Sequence, residues 1–171
     1  IQDSKPALDL NLITHTFNAD YKLVNGDWDY KLGVSSSFQN NTASPNTGVR
    51  PLIPTYDKVD AAVYGIVDYH FSSDFSVEVG ARYDFSSIQA TKFYLKSRWN
   101  ERNYSPDYND FIIGDFGNQW LTKPQFLFHN LSVSLGAQYS FGSDYDLYFN
   151  LSRAVRNPNP SEFFSDGLHH S

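Results

Sequence analysis

The segment that decides the fold runs from Phe75 to Ser86 and reads FSVEVGARYDFS. Its odd-numbered positions carry phenylalanine, valine, valine, alanine, tyrosine and phenylalanine, whereas the even-numbered positions carry serine, glutamate, glycine, arginine, aspartate and serine. Successive side chains of a β-strand point to opposite faces of the sheet. The alternation therefore predicts a strand with one apolar and one polar face.

Five other segments show the same alternation, and together the six segments form three predicted hairpins. The further apolar stripes lie at residues 17–23, 28–34, 59–71, 131–141 and 147–151, and the polar turns at residues 25–26, 72–74 and 142–144. The dipeptide Asn25-Gly26 predicts a type I′ turn. Keeping the apolar side chains on one face predicts the cross-strand pairs Leu23–Trp28, Tyr69–Val77 and Tyr139–Leu147.

The predicted strands are long, at about ten or more residues, whereas strands of soluble proteins average about five or six. Aromatic residues make up 17% of the chain and crowd both sides of each turn, as they do at membrane interfaces. We therefore predict an all-β fold: an antiparallel up-and-down meander of about six long strands, part of a transmembrane β-barrel with long loops on one side. A water-soluble β-sandwich shows the same alternation and is the alternative.

Composition excludes several classes of function. The formal charge of −6 and the absence of a basic stripe argue against nucleic-acid binding. The 171 residues contain no cysteine, so a disulfide framework and a thiolate metal site are excluded. The sequence shows no nucleophile–base arrangement that would indicate an enzyme, and we predict no cofactor site. The chain opens on Ile1 and contains no methionine, which predicts an internal segment truncated at both ends.

Three long polar segments lie on the side away from the turns, at residues 39–57, 87–125 and 157–171. Long loops of this kind usually carry binding. The centre of the middle segment contains five residues that we expect to contact a ligand: Trp99, Arg102, Tyr104, Tyr108 and Trp120. In the sandwich alternative, the four aromatic residues of this set would instead stack on a carbohydrate.

Three blocks of sequence, taken in order, resemble the barrel of TonB-dependent outer-membrane receptors. They are LIPTYD at residues 52–57, GARYD at residues 80–84 and RNPNPSEFFSDGLHH at residues 156–170. The resemblance spans nearly the whole chain. It implies a 22-stranded barrel in the bacterial outer membrane that imports a scarce ligand, such as an iron–siderophore complex or a metal ion.

The resemblance also implies a set of partners. These are outer-membrane lipid, a plug domain and further barrel strands of the parent chain, and the TonB system, which acts through the plug. No segment reads as a plug, so residues 1–171 are expected to form part of a barrel only. Six strands do not close a barrel, since the smallest such barrels have about eight. The isolated chain is therefore expected to self-associate through its open edges or its apolar face.

Two groups of polar residues are candidates for chemistry. Glu162, His169 and His170 match a place where some metal-importing members of the family carry glutamate and paired histidines, and such ligands suit zinc. The competing interpretation is that the three residues are a structural signature of the loop. Asp68 and Glu78 are expected to lie opposite one another on the polar face, where a water-filled lumen offers them solvation without chemistry.

Overall fold

The structure, a computed structural model, describes residues 6, 9–44, 46, 53–142 and 144–164. Its framework is a single antiparallel sheet built from six long strands in chain order. The first four strands are β1 (Leu10–Asn25), β2 (Trp28–Ala43), β3 (Thr55–His70) and β4 (Phe75–Leu95). Two short strands follow, β5 (Ile112–Phe116) and β6 (Gln119–Thr122), and then the long strands β7 (Gln125–Phe141) and β8 (Tyr145–Arg153).

Short helices occur only in the connections of the described chain. The connection between β4 and β5 contains α1 (Lys96–Glu101), α2 (Ser105–Tyr108) and a 3-10 turn (Asn109–Phe111). A third helix, α3 (Pro160–Phe164), follows β8. Among the described residues, no helix has the length and apolar character needed to span a membrane.

The predicted fold class is confirmed: six long antiparallel strands follow one another as a meander. The sandwich alternative is wrong, because the described strands form one continuous sheet and not two packed layers. The sheet stays open within the described residues, with β1 and β8 as its edges along the meander. β4 is the longest strand, at 21 residues. Its first part, from Phe75 to Gln89, pairs with β7, and its last part, from Lys92 to Leu95, pairs with β6 of the small β5–β6 hairpin.

Two of the three predicted registers are confirmed. Tyr69 pairs with Val77 across the β3–β4 turn, and Tyr139 pairs with Leu147 across the β7–β8 turn. In both hairpins the apolar positions keep their parity across the turn, and an odd-length connection is the only kind that leaves them on one face.

The register predicted for the first hairpin is wrong by two residues. Leu23 pairs with Tyr30 and Asn25 with Trp28, so the turn residues are Gly26 and Asp27. Gly26 has φ +62°, whereas Asn103 is the one described non-glycine residue with positive φ. A single glycine at the first central position favours a type II′ turn, while type I′ requires positive φ at both positions. Because the shift is even, every side chain still lies on its predicted face.

The sheet has two chemically different faces. The apolar face carries rows such as Leu23, Tyr30, Val67, Val79, Leu135 and Leu151. The polar face carries rows such as Asn18, Ser35, Ala62, Asp84 and Asn130. Val79 is 53% exposed and Leu151 is 63% exposed, so the apolar face is uncovered within this chain. In a soluble protein the apolar face of a sheet is buried, whereas a sheet that faces lipid requires an apolar face that is uncovered.

A girdle of aromatic rings runs along the turn side of the apolar face. Ring centroids 4.4 to 6.1 Å apart connect Tyr30, Trp28, Tyr69, Phe71, Phe75, Tyr139 and Phe141 in an unbroken series. The series crosses from β2 to β7 and so joins the three hairpins. Aromatic residues in such a belt favour the boundary between lipid and water.

The apolar band ends at a polar row. Asn40, Asp57, Gln89 and Gln125 lie side by side on the apolar face, and the Asn40 amide donates to Asp57 at 2.7 Å. Between this row and the girdle, β3 runs from Val59 to Tyr69, which is ten residue steps or about 33 Å along the strand. A tilt of about 40° gives the band a height of about 25 Å, the value expected for outer-membrane barrels.

The buried core lies at the loop end of the polar face. It contains Tyr56, Ile88, Ala90 and Phe164, and each of these side chains is at most 6% exposed. Here the polar face of β3 and β4 becomes apolar and is covered by α3. The segment of residues 154–164, which we call the strap, leaves β8 and packs back onto this part of the sheet.

Candidate functional site

The connection between β4 and β7 folds over the loop end of the polar face and encloses a pocket of about 220 Å³. The pocket, which we call the aromatic pocket, is lined by nine residues. These are Tyr94, Trp99, Tyr104, Tyr108, Phe111, Thr122, Pro124, Phe126 and Phe163. Tyr94 belongs to β4, the next four residues to the segment of helical turns between β4 and β5, and Thr122 to β6; Phe126 belongs to β7 and Phe163 to the strap.

Local sequence explains how the first turn of the pocket forms. α1 ends where Asn103 adopts φ 51°, a left-handed conformation that asparagine tolerates better than most residues. This turn brings the Tyr104 ring to 5.4 Å from the Trp99 ring, and the Tyr104 amide donates to the Trp99 carbonyl at 3.1 Å. Pro106 then lies in the first turn of α2, where its missing N–H costs nothing.

The rings that line the pocket contact one another in sequence. Tyr94, Trp99, Tyr104 and Tyr108 are joined by edge-to-face contacts at 5.4 to 5.6 Å, and Tyr108 stacks on Phe111 at 5.6 Å. From there, edge-to-face contacts lead through Phe126 to Phe163, the last at 4.4 Å. Edge-to-face pairs are the favoured geometry of aromatic side chains. The loop is therefore held by ring packing.

Three of the five predicted ligand residues meet at the pocket. Trp99, Tyr104 and Tyr108 all line it, although Trp99 is only 3% exposed and its indole N–H donates to Ser105 at 3.1 Å. Arg102 lies at the rim, where its guanidinium donates to the Tyr104 hydroxyl at 3.2 Å. Their role in ligand binding stays a prediction.

The fifth predicted residue, Trp120, does not line the pocket. It lies on β6 opposite Tyr94, and the Lys96 ammonium sits 4.0 Å from its ring centroid. Lys96 also forms an ion pair with Asp115 at 2.6 Å. These contacts tie the β5–β6 hairpin to the end of β4.

Sequence reasoning missed several residues that the pocket uses. Tyr94 continues the even-numbered face of β4 beyond Ser86, so extending the alternation along the strand identifies it. Phe126 continues the polar face of β7 in the same way. Phe163 lies in the block at residues 156–170, and no local pattern connects it to a loop some forty residues before it.

The strap owes its shape to a capping box. Asn159 accepts a hydrogen bond from the Ser161 amide at 3.1 Å, and Glu162 accepts one from the Asn159 amide at 2.9 Å. Pro160 occupies the first helical position, where proline is favoured. Reciprocal bonds between the N-cap residue and the residue three positions on fix the start of a helix.

Arg156 binds Glu162 through two parallel hydrogen bonds of 2.8 and 2.9 Å. This pairing, followed by the bond from the Asn159 amide, lowers the pKa of Glu162 to about 2. Both carboxylate oxygens therefore already accept hydrogen bonds. His169 and His170, the other predicted metal ligands, lie outside the described residues. Within the described part of the chain, no cluster of three or more histidine or acidic residues could hold a metal ion.

A cluster of polar side chains around Arg82 lies on the polar face, between the aromatic pocket and the turns. The Arg82 guanidinium donates to Asp84 at 2.9 Å, reaches across β3 to the Ser35 hydroxyl at 3.1 Å, and lies 5.7 Å from the Tyr64 ring centroid. This cluster links β2, β3 and β4 from the inside.

The predicted carboxylate pair lies nearer the turns. Asp68 and Glu78 are directly opposite, as the alternation predicts. His70 lies beside them, with its Nε2 atom 3.4 Å from a carboxylate oxygen of Asp29.

The long strands, the aromatic girdle and an apolar band of lipid-spanning length define a segment of a membrane β-barrel wall. The sequence profile described as "TonB dependent receptor-like, beta-barrel" matches residues 2–171, and the chain belongs to this family. Comparisons with curated proteins and with solved structures found no match.

Family membership gives the two faces of the sheet their meaning. Proteins of this family are receptors and transporters of the bacterial outer membrane and not enzymes, and they work with a plug domain and TonB. The apolar face is accordingly the lipid-facing side and the polar face the lumen side. The aromatic pocket lies at the loop end, away from the girdle.

Proposed function

We propose that this chain is part of a longer receptor barrel that binds and imports a scarce nutrient, such as an iron–siderophore complex or a metal ion. We further propose that the aromatic pocket contacts an aromatic group of that ligand. The observation that carries the proposal is the pocket itself: a concave site lined by aromatic rings at the loop end of the wall.

The size and chemistry of the pocket support an aromatic group. At about 220 Å³ it is smaller than the roughly 300–1,000 Å³ of sites that enclose a whole small molecule. It therefore suits one ring of a ligand whose remainder lies outside. The Tyr104 hydroxyl and the Arg102 guanidinium at the rim provide polar groups that would orient an anionic or hydroxylated ring.

The test is uptake and binding by the full-length receptor that carries this chain, in a host strain lacking its own copy. The probes are iron(III) tris-catecholate, iron(III) acetohydroxamate and Zn²⁺. Replacing Tyr104 or Tyr108 with alanine is expected to weaken binding of the catecholate complex by about two- to tenfold each, since an aromatic contact contributes roughly 0.5–1.5 kcal/mol.

The matched control is Tyr145→Ala, the same change on the opposite side of the wall at an exposed residue next to the last turn. It should bind the catecholate complex as the unmodified receptor does. If Tyr104→Ala and Tyr108→Ala bind all three probes unchanged, the pocket only packs the loop and the proposal is wrong. A loss confined to the hydroxamate or Zn²⁺ would overturn the aromatic class of the ligand.

A further inference from the structure

Lys92 lies at the junction between the aromatic pocket and the strap, and its environment is unusual for a lysine. It is only 6% exposed, on the polar face of β4. Its ammonium donates to the backbone carbonyl of Phe164 at 2.5 Å and lies 4.8 Å from the ring centroid of Tyr94, a pocket residue. A buried ammonium needs hydrogen-bond partners to offset the cost of removing it from water, and the Phe164 carbonyl is one such partner.

The strands on either side connect Lys92 to the pocket. Thr122, a pocket residue, pairs directly with Lys92 across β4 and β6, and its buried hydroxyl donates to the Lys92 carbonyl at 2.9 Å. The backbone at Lys92 is thereby held by its pairing with a residue that lines the pocket.

The strap connects Lys92 to the opposite wall of the pocket. Phe164, whose carbonyl accepts the Lys92 bond, is 1% exposed and packed in the core beside Ile88 and Ala90. Phe163, the preceding residue, points into the pocket and contacts Phe126 at 4.4 Å. Because Phe163 and Phe164 belong to the same short helix, a bond that holds the Phe164 carbonyl also restrains the backbone that carries the Phe163 ring.

We propose that Lys92 is a positioning residue that determines the width of the aromatic pocket. Its hydrogen bond to Phe164 holds the end of the strap against the wall, so that Phe163 closes the pocket toward the lumen. The inference rests on the proposed function, because it assigns how one wall of that binding site is held.

The test uses the full-length receptor and iron(III) tris-catecholate as the probe, with binding followed by quenching of tryptophan fluorescence. Lys92→Met keeps the length of the side chain and removes the donor, and Phe163→Ala removes the wall. Each is expected to weaken binding by about five- to tenfold, and the double variant no further, because both changes remove the same contact. Lys92→Arg keeps a donor and should restore most of the affinity.

The matched control is Lys31→Met, the same change on the polar face of β2, away from the pocket. Binding by Lys92→Met as tight as in the control, or effects of Lys92→Met and Phe163→Ala that add in full, would overturn the positioning role. If Lys92→Met does not fold, unchanged affinity in the Phe163→Ala variant overturns that role instead. Tyr104→Ala separates the two proposals: if it loses binding while Lys92→Met does not, the positioning role fails and the proposed function stands.

Discussion

Replacing Gly33 with alanine should destabilise the barrel wall, because the Tyr64 ring occupies the space that a β-carbon would need. Gly33 and Tyr64 are directly paired across β2 and β3, on the polar face. A β-carbon at Gly33 would lie 2.2 Å from the Tyr64 Cζ atom and 2.4 Å from its hydroxyl oxygen. Both distances are well inside van der Waals contact, so the ring has to leave.

The size of the effect follows from what the Tyr64 ring contacts. The Lys31 ammonium and the Arg82 guanidinium each lie 5.7 Å from its centroid. Losing both contacts costs roughly 0.5–1 kcal/mol each, and an off-rotamer tyrosine costs about 0.5–1.5 kcal/mol. Alanine restricts the unfolded chain and returns about 0.4–1 kcal/mol. The net loss is about 0.5–3 kcal/mol.

The assay is guanidinium unfolding of the full-length receptor in phospholipid vesicles, followed by tryptophan fluorescence. The matched control is Gly136→Ala, where the new β-carbon meets nothing closer than Glu78 Cβ at 3.6 Å, so this variant should keep the gain of about 0.4–1 kcal/mol from the restricted unfolded chain. Gly33→Ala combined with Tyr64→Ala should cost less than the two changes added together. Equal stability of Gly33→Ala and Gly136→Ala would refute the reasoning.

Three further predictions concern the strap and the isolated chain. Because pairing holds the Glu162 pKa at about 2, the pairing stabilises the strap fully above about pH 4.5 and is lost as the pH falls toward 2. Arg156→Gln should therefore raise the pH at which the strap opens, as monitored by its cleavage by a protease. An unchanged pH profile would contradict this. If His169 and His170 bind a metal ion with Glu162, calorimetry should detect heat on addition of Zn²⁺, and His169→Ala and His170→Ala should remove it. A titration without such heat would show that the predicted metal site is wrong. Residues 1–171 alone should form dimers or larger assemblies in water, whereas a detergent-free monomer by light scattering would rule this out.

The strands were predictable because side-chain alternation is a local signal. Each apolar stripe assigns its own faces, and parity across a turn then restricts the register to steps of two. At the first hairpin that restriction was not enough. The alternation allows both the turn at Asn25-Gly26 and the turn at Gly26-Asp27, and the choice depends on which residues adopt positive φ.

The candidate site was only partly predictable, because it is assembled by contacts between distant segments. The clustering of Trp99, Tyr104 and Tyr108 could be anticipated from their spacing within one loop. The approach of Phe163 to Phe126 depends on the strap turning back over the sheet, and no periodic pattern encodes that path. The burial of Lys92 was likewise invisible, since a lysine in an alternating strand reads as a solvated residue.

The central claim is that the apolar face of this sheet contacts lipid and the polar face lines the lumen. Site-directed spin labels at each position from Val77 to Phe85 test it most directly, in a full-length receptor whose only cysteine is the labelled one; residues 1–171 contain no cysteine of their own. In vesicles, accessibility to oxygen should peak at the odd-numbered positions, and accessibility to a water-soluble nickel complex should never peak there. Oxygen accessibility without a period of two, or with its maxima at the even-numbered positions, would contradict the account.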